Sequence, residues 1–175
     1  MSLSNLIRAM KKIILSFRSR PFYTTIIILF FAIIDQISKE IIIRKLNVHQ
    51  SLPEEGFFRF THVRNYGSAF NLVDDANILL LIIGIFAVCL IIYLLIFVAK
   101  GSLFLEISIS LMLSGAIGNL TDRIRHGSVT DFIDVGIWPV FNIADSCISI
   151  GMAMLIFHLY KDWKKETNEK NKNNL

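Results

Sequence analysis

Five aspartates, Asp35, Asp122, Asp131, Asp134 and Asp145, lie in or beside segments otherwise composed for lipid. A carboxylate at the centre of a bilayer costs about 2.5–3.5 kcal/mol on insertion scales, so each needs a partner, water or a chemical task. Asp131 and Asp145 flank a short loop, each within a dense polar cluster. In Gly127-Ser-Val-Thr-Asp131-Phe-Ile-Asp134, alternation puts Val129, Asp131 and Ile133 on one side of an extended segment, with Phe132 and Asp134 on the other. Asp131 then shares its side with apolar neighbours, where desolvation raises a carboxyl pKa, whereas Asp134 reads as solvated. In Phe141-Asn142-Ile-Ala-Asp145, Asn142 and Asp145 have the spacing of a capping box at a helix start, where the helix dipole favours negative charge. Two neighbouring carboxylates in contrasting environments are what a division of acid and base roles requires. The chemistry implied is activation of water by an aspartate pair held in a membrane.

Other polar residues interrupt the same segments. Asp35 and Lys39 are spaced i,i+4 and share a helix face; exposed, such a pair is worth about 0.2–0.5 kcal/mol, but in lipid it mainly neutralises two costly charges. In Gly115-Ala-Ile-Gly118-Asn119-Leu-Thr-Asp122-Arg123, small residues allow close helix approach and the Asn119 amide needs a hydrogen-bond partner. Asp122 and Arg123 read either as boundary charges reaching water or as a brace for the site, Asp35 bracing it through Lys39 and Asp122 through Arg123. Asn65-Tyr-Gly67 reads as a turn, with Gly67 able to take positive φ. His49, His62, His126 and His158 form no H-E-x-x-H zinc motif. The chain also lacks a G-x-S-x-G nucleophile elbow and a glycine-rich phosphate loop. Other hydrolytic chemistries are therefore poorly supplied.

The elements that must position these residues are membrane helices. Of 175 residues, 54% are hydrophobic, against about 45–50% in a soluble domain, and the mean hydropathy is +0.58. The excess falls in long runs at Phe22–Ile43, Ile78–Ala99, Leu103–Leu120 and Val140–Tyr160, each near the roughly 18–20 residues that span a bilayer. The expected fold is all-α and polytopic, with four transmembrane helices and a small extracytoplasmic β-sheet. Three parts follow: a basic extension over 1–20, a membrane domain over 21–161, and a polar cytoplasmic tail over 162–175.

Between the first two spans, Pro53-Glu-Glu-Gly56 marks a turn, and Phe57–Arg64 is aromatic and β-branched like a short strand. Asp74 and Asp75 read as favourable charges at the start of the second span. Residues 3–17 carry apolar side chains at helical spacing among basic ones; they form a surface amphipathic helix or an extension supplying topogenic charge. No small-residue cleavage pattern follows the first apolar run, so it reads as a retained span. Cys89 and Cys147 lack metal-ligand spacing and read as small apolar side chains. The Lys/Asn/Glu tail reads as disordered and solvated.

Net charge is +4, and its distribution sets orientation. Arg8, Lys11, Lys12, Arg18 and Arg20 precede the first span, Lys100 lies between the second and third, and five lysines follow Tyr160. The positive-inside rule places both termini and the Lys100 loop in the cytoplasm, with 44–77 and 121–139 outside. Because these cations flank membrane spans, nucleic acid is excluded as the partner they imply.

Together these clusters resemble the lipoprotein signal peptidases of bacteria, also called signal peptidase II. The family's D-Q-x-x-K stands as Asp35-Gln36…Lys39, and its N-x-G-x-A-F as Asn65…Gly67…Ala69-Phe70. Its G-N-x-x-D-R…G-x-V-x-D-F stands as Gly118-Asn119…Asp122-Arg123…Gly127…Val129…Asp131-Phe132, and its F-N-x-A-D as Phe141-Asn142…Ala144-Asp145. The resemblance covers about residues 22–160, with a longer N-terminal extension and a shorter Asp131-to-Asp145 loop than many family members have.

The resemblance implies an aspartic endopeptidase of the bacterial inner membrane, acting near its outer face. It would remove the signal peptide from a prolipoprotein, cleaving before a cysteine that already carries diacylglyceryl. Asp131 and Asp145 would be catalytic, and their carboxylate chemistry would require neither metal nor organic cofactor. Asn65, Asn119, Arg123 and Asn142 would position substrate or the dyad, with Asp35, Lys39, Gly67 and Asp122 in support. The implied partners are lipidated prolipoproteins and membrane lipid; the oligomeric state is open, with a monomer expected. A transporter using the aspartates as ion sites is the rival from another class. It would need polar residues crossing the membrane and an inverted repeat, and the sequence has neither. A third reading is a non-catalytic membrane adaptor whose aspartates are only caps and boundary charges.

Overall fold

In the computed structural model, residues 22–67, 76–99 and 101–173 are described. They form, in chain order, α1 (Phe22–Lys45), β1 (Ser51–Leu52), β2 (Arg59–Asn65), α2 (Ala76–Phe97), α3 (Leu103–His126), β3 (Val129–Asp134) and α4 (Ile143–Asn173). The N-terminal extension, Ala69 and Phe70, Asp74 and Asp75, and Lys100 lie outside the described residues.

The helices coincide with the apolar runs, and their ends are chemically marked. The Ser102 side chain caps α3 by accepting from the Leu105 N–H at 3.3 Å, and Gly127 closes it in the left-handed region at φ 69°. Before α4, Asn142 Oδ1 accepts from the Asp145 N–H at 2.8 Å while Asp145 Oδ2 accepts from the Asn142 N–H at 3.2 Å. The expected capping box is therefore present with both of its bonds.

α3 packs against α1, α2 and α4 and is the central helix. Its small residues permit this. A Cβ at Gly115 would lie 2.3 Å from the Ala144 carbonyl oxygen, and one at Gly118 would lie 2.6 Å from Asp35 Oδ2. Ser108 donates to the Gly151 carbonyl of α4 at 2.7 Å. Ile91, Leu95, Ala99, Leu105, Ile109, Met112 and Leu113 form the apolar core between α2 and α3. Among the described residues three helices, α2, α3 and α4, are long and apolar enough to cross a membrane. Their outward residues, among them Ile82, Phe86, Leu90, Ile156 and Phe157, are exposed as lipid-facing side chains would be. Of the two cysteines, both free, Cys89 is exposed and Cys147 buried.

The strands form an antiparallel sheet in the order β1-β2-β3. It caps the bundle where α1 and α3 end and α4 begins. Val63 pairs with Asp131 and Asn65 with Val129, and an irregularity interrupts the register between Phe60 and Val63. At the opposite end, the Tyr23 hydroxyl donates to the buried Glu106 carboxylate.

Two expectations are corrected. β3 does not alternate between a buried and a solvated side: Val129, Thr130, Asp131, Phe132 and Asp134 are all buried. Asn65 and Asn142 cover Asp131 on one face, while Ile42 and Leu46 of α1 cover Phe132 and the β2 side chains Arg59 and Thr61 cover Asp134 on the other. The tail from residue 162 is helical through Asn173, and its side chains over residues 162–171 are nearly all exposed. Propagating an existing helix needs no new nucleus, and Lys and Glu are good helix formers, so solvation there does not mean disorder.

Candidate active site

The site is assembled by five elements meeting at the sheet end of the bundle. β3 supplies Asp131, and the first turn of α4 supplies Asp145. Asn65 ends β2, Asn119, Asp122 and Arg123 occupy the last turns of α3, and Asp35, Gln36 and Lys39 lie in the second half of α1. The structure brings all ten sequence-predicted site residues to this end.

At its base is a buried ion cluster. The Lys39 ammonium is 2% exposed and lies 2.9 Å from Asp35 Oδ2 and 3.3 Å from Asp122 Oδ2. The two carboxylates also accept from main chain: Asp35 from the Ala144 N–H at 2.8 Å, Asp122 from the Thr130 N–H at 2.9 Å. The cluster thereby ties α1 and α3 to the start of α4 and to β3. Gln36 adds a third link, donating to Asp122 Oδ1 at 3.0 Å and to the Gly118 carbonyl at 3.2 Å.

Amides carry this order outward. Lys39 donates to Asn119 Oδ1 at 3.0 Å, and an ammonium can only donate, so the Asn119 oxygen must face it. Its NH₂ then points the other way and donates to Asp145 Oδ1 at 2.8 Å. Asn142, 0% exposed, has its oxygen committed to the Asp145 N–H and its NH₂ to Asp131 Oδ1 at 2.6 Å. The Asn65 oxygen accepts from the Gly67 N–H at 2.8 Å, leaving its NH₂ for Asp131 Oδ2 at 2.9 Å. Gly67 takes φ 81°, as the turn requires, and a Cβ there would meet Leu80 at 2.3 Å. Each amide orientation is thus set by its other partner.

Asp131 is 1% exposed. Burial pushes its carboxyl up to about 6, and the Asp145 charge adds to this; the amides of Asn65 and Asn142 and the more distant Lys39 ammonium pull it back. Hollows open beside both carboxylates. One of about 210 Å³ is lined by Val63, Asn65, Tyr66, Asp131 and Val140. Another of about 500 Å³ runs from Asp145 along Ser146, Ser149 and Ile150 of α4, under Trp138 and Phe141. Arg123 is within electrostatic reach of Asp131, Asp145 and Asp122, and its Nη1 is buried without a hydrogen-bond partner among the described residues. Among those residues no group of three or more His, Cys, Asp or Glu is arranged to hold a metal ion.

This geometry has counterparts. A family model described as signal peptidase II matches residues 27–161. The chain belongs to the signal peptidase II family. The lipoprotein signal peptidase of Halothermothrix orenii is 40% identical over 142 residues, 79% of this chain and 96% of that one. That of Syntrophus aciditrophicus is 40% identical over 147 residues, covering 77% and 90%. A bacterial membrane enzyme solved by the in meso method at 1.9 Å is 36% identical, with a TM-score of 0.75 over 80% of this chain and 94% of that one. The fold described above is therefore that of a membrane enzyme.

Within this signal peptidase II fold, two sequence expectations need correction. Asp122 does not brace the site through Arg123, its chain neighbour, but through Lys39, Gln36 and the Thr130 N–H, because successive helical residues point apart. Asp134 is not solvated. Its side chain is 8% exposed and accepts from Arg59 at 2.7 Å, Thr61 at 2.8 Å and the Gly136 N–H at 2.9 Å. The Gly136 N–H, then Thr61 and Arg59, hold its carboxyl below the usual range. Sequence reasoning also assigned no role to Gln36 or Thr130. The signal for Gln36 was available: an amide inside an apolar run needs a partner. For Thr130 there was none, since only its main chain is used.

Proposed function

We propose that this chain is the aspartic endopeptidase that removes signal peptides from bacterial prolipoproteins, cutting before a cysteine that carries diacylglyceryl. Asp131 and Asp145 are its catalytic pair. The observation that carries this reading is that both carboxylates, alone among the site's four aspartates Asp35, Asp122, Asp131 and Asp145, accept side-chain bonds only from neutral amides. Burial, and the neighbouring Asp145 charge, raise the Asp131 carboxyl and favour its protonated form, which suits it to share the acid and base roles with Asp145.

In the reaction the ionised carboxylate takes a proton from water while the protonated one donates to the scissile carbonyl oxygen. The new C–O bond gives a tetrahedral species, and collapse breaks the C–N bond as a carboxyl returns a proton to the leaving nitrogen. Arg123 Nη1 supplies a further donor for the substrate main chain. Asn119 and Asn142 keep both carboxylates at fixed angles, and Asn65 does the same for Asp131.

The hollow along α4 suits the lipid-bearing side of the scissile bond, because it descends an apolar helix towards the membrane. The smaller hollow at the β2 edge suits the extended signal-peptide side. α1 is read as a fourth span whose charges are neutralised internally. The cations before α1 and after Tyr160 support cytoplasmic termini, which puts the dyad near the outer face, where water enters and the lipid anchor stays in the bilayer. The domain then covers residues 21–161, and the protein works without metal or organic cofactor. The test is cleavage of a diacylglyceryl-modified prolipoprotein by purified wild type, Asp131→Asn and Asp145→Asn, followed by gel shift. Each substitution is expected to abolish turnover with folding retained; normal cleavage by either rejects the dyad.

A further inference from the structure

A third hollow, unused by the proposed chemistry, lies behind the strand that carries Asp131. It measures about 380 Å³ and is lined by Ile41, Ile42, Leu46, Leu52, Phe60 and Phe132, with Ser38 and Lys45 as its only polar residues. The Ser38 hydroxyl is already committed to the Asp35 carbonyl at 2.8 Å. Asp131 and Phe132 are successive strand residues, so their side chains leave β3 on opposite faces. The groove is therefore separated from the substrate hollows by the thickness of the strand.

Its floor is structurally thin. Ile42, Leu46 and Phe132 form a cluster of only three buried residues, with Ile133 and Ile143 packed on it. That cluster is what seats β3 on the end of α1, and the groove is open space beside it. Lys45, at the rim, makes no ion pair among the described residues, whereas its neighbour Arg44 is tied to Glu40 at 2.7 Å. An apolar channel with one free cation at its mouth, at the end of a lipid-facing helix, matches an acyl chain below an anionic head group.

We propose that the groove binds one acyl chain of an anionic membrane glycerophospholipid, its phosphate at Lys45, and that this lipid completes the packing behind β3. The lipid is a structural partner distinct from the substrate, because the substrate hollows open on the other face of the strand.

The full-length protein in nanodiscs of phosphatidylcholine, alone or mixed with phosphatidylglycerol, tests this by native mass spectrometry and thermal unfolding. Wild type is expected to retain one phosphatidylglycerol and to unfold at higher temperature in the mixed discs. Lys45→Glu should lower phosphatidylglycerol occupancy about tenfold, a loss of about 1.4 kcal/mol. Ile41→Trp, which fills the groove, should lose the lipid and its dependence on disc composition while unfolding no lower than wild type in phosphatidylcholine. Equal retention of both lipids by wild type and Lys45→Glu overturns the proposal. So does displacement of the retained lipid by a diacylglyceryl-modified prolipoprotein, which would give the groove to the substrate.

Discussion

Asp35 and Asp122 differ from Asp131 and Asp145 chiefly in their partners; Asp131 is as deeply buried as the first two, and Asp145 is half-buried. The first two share the Lys39 ammonium, at 2.9 and 3.3 Å. The second two accept from Asn65, Asn119 and Asn142. A buried charge is tolerated when an opposite charge and hydrogen bonds surround it. Amides supply hydrogen bonds but no charge, so desolvation wins and the Asp131 carboxyl rises to about 6. The ion cluster ties helices together; the amide-bound pair is the one proposed to exchange protons. Asn119 joins them, with its oxygen on Lys39 and its NH₂ on Asp145.

The largest effects should separate the two regions. Asp131→Asn and Asp145→Asn are expected to lower turnover by at least about 10³-fold, within the range of acid–base catalysis, while the protein remains folded by circular dichroism. Lys39→Met should do the reverse. It leaves two buried carboxylates without their cation and is expected to cost about 3–5 kcal/mol of stability, with Asp122→Asn in the same chain recovering part of it. A Lys39→Met protein as stable as wild type would end the distinction between the two carboxylate pairs.

The sequence showed local devices and hid long-range ones. The Asn142–Asp145 capping box, the turn at Asn65–Gly67 and the Asp35–Lys39 pair each lie within four residues, where helix and turn geometry fix who meets whom. The resemblance to signal peptidase II added the set of residues that gather, which spacing alone does not provide. Neither gave partners across the fold. Asp122 was matched to its neighbour Arg123 rather than to Lys39, and Asp134 was read as solvated though Arg59 and Thr61 cover it. Those contacts depend on how β2 and β3 register and on how far α3 turns beyond its apolar run. The single-sided reading of β3 failed for the same reason, since burial of its second face is contributed by other elements.

Smaller effects sharpen the same contrast. An ordinary aspartate ionises near 3.8, but Asp131 in the fold does so at about 6. Between those values the folded state holds a proton that the unfolded state has lost, so stability falls as pH rises through the window and stays lower above it. Asp131→Asn should therefore raise the unfolding temperature by a few degrees at pH 8 and leave it nearly unchanged at pH 4. Asn65→Ala removes a hydrogen bond that favours ionised Asp131, so the alkaline limb of the pH–rate profile should move upward by about one pH unit or less. Arg59→Ala, at a pair whose guanidinium is 29% exposed, should cost about 1 kcal/mol or less with turnover little changed.

The most direct test of the contrast is the protonation state of the dyad itself. Infrared difference spectroscopy across pH 4–8, with ¹³C-labelled aspartate, reads a protonated carboxyl through its C=O band. A band that titrates near pH 6 in wild type and disappears in Asp131→Asn, but persists in Asp134→Asn, is the predicted result. No protonated aspartate band above pH 5, or one indifferent to Asp131→Asn, would contradict the account.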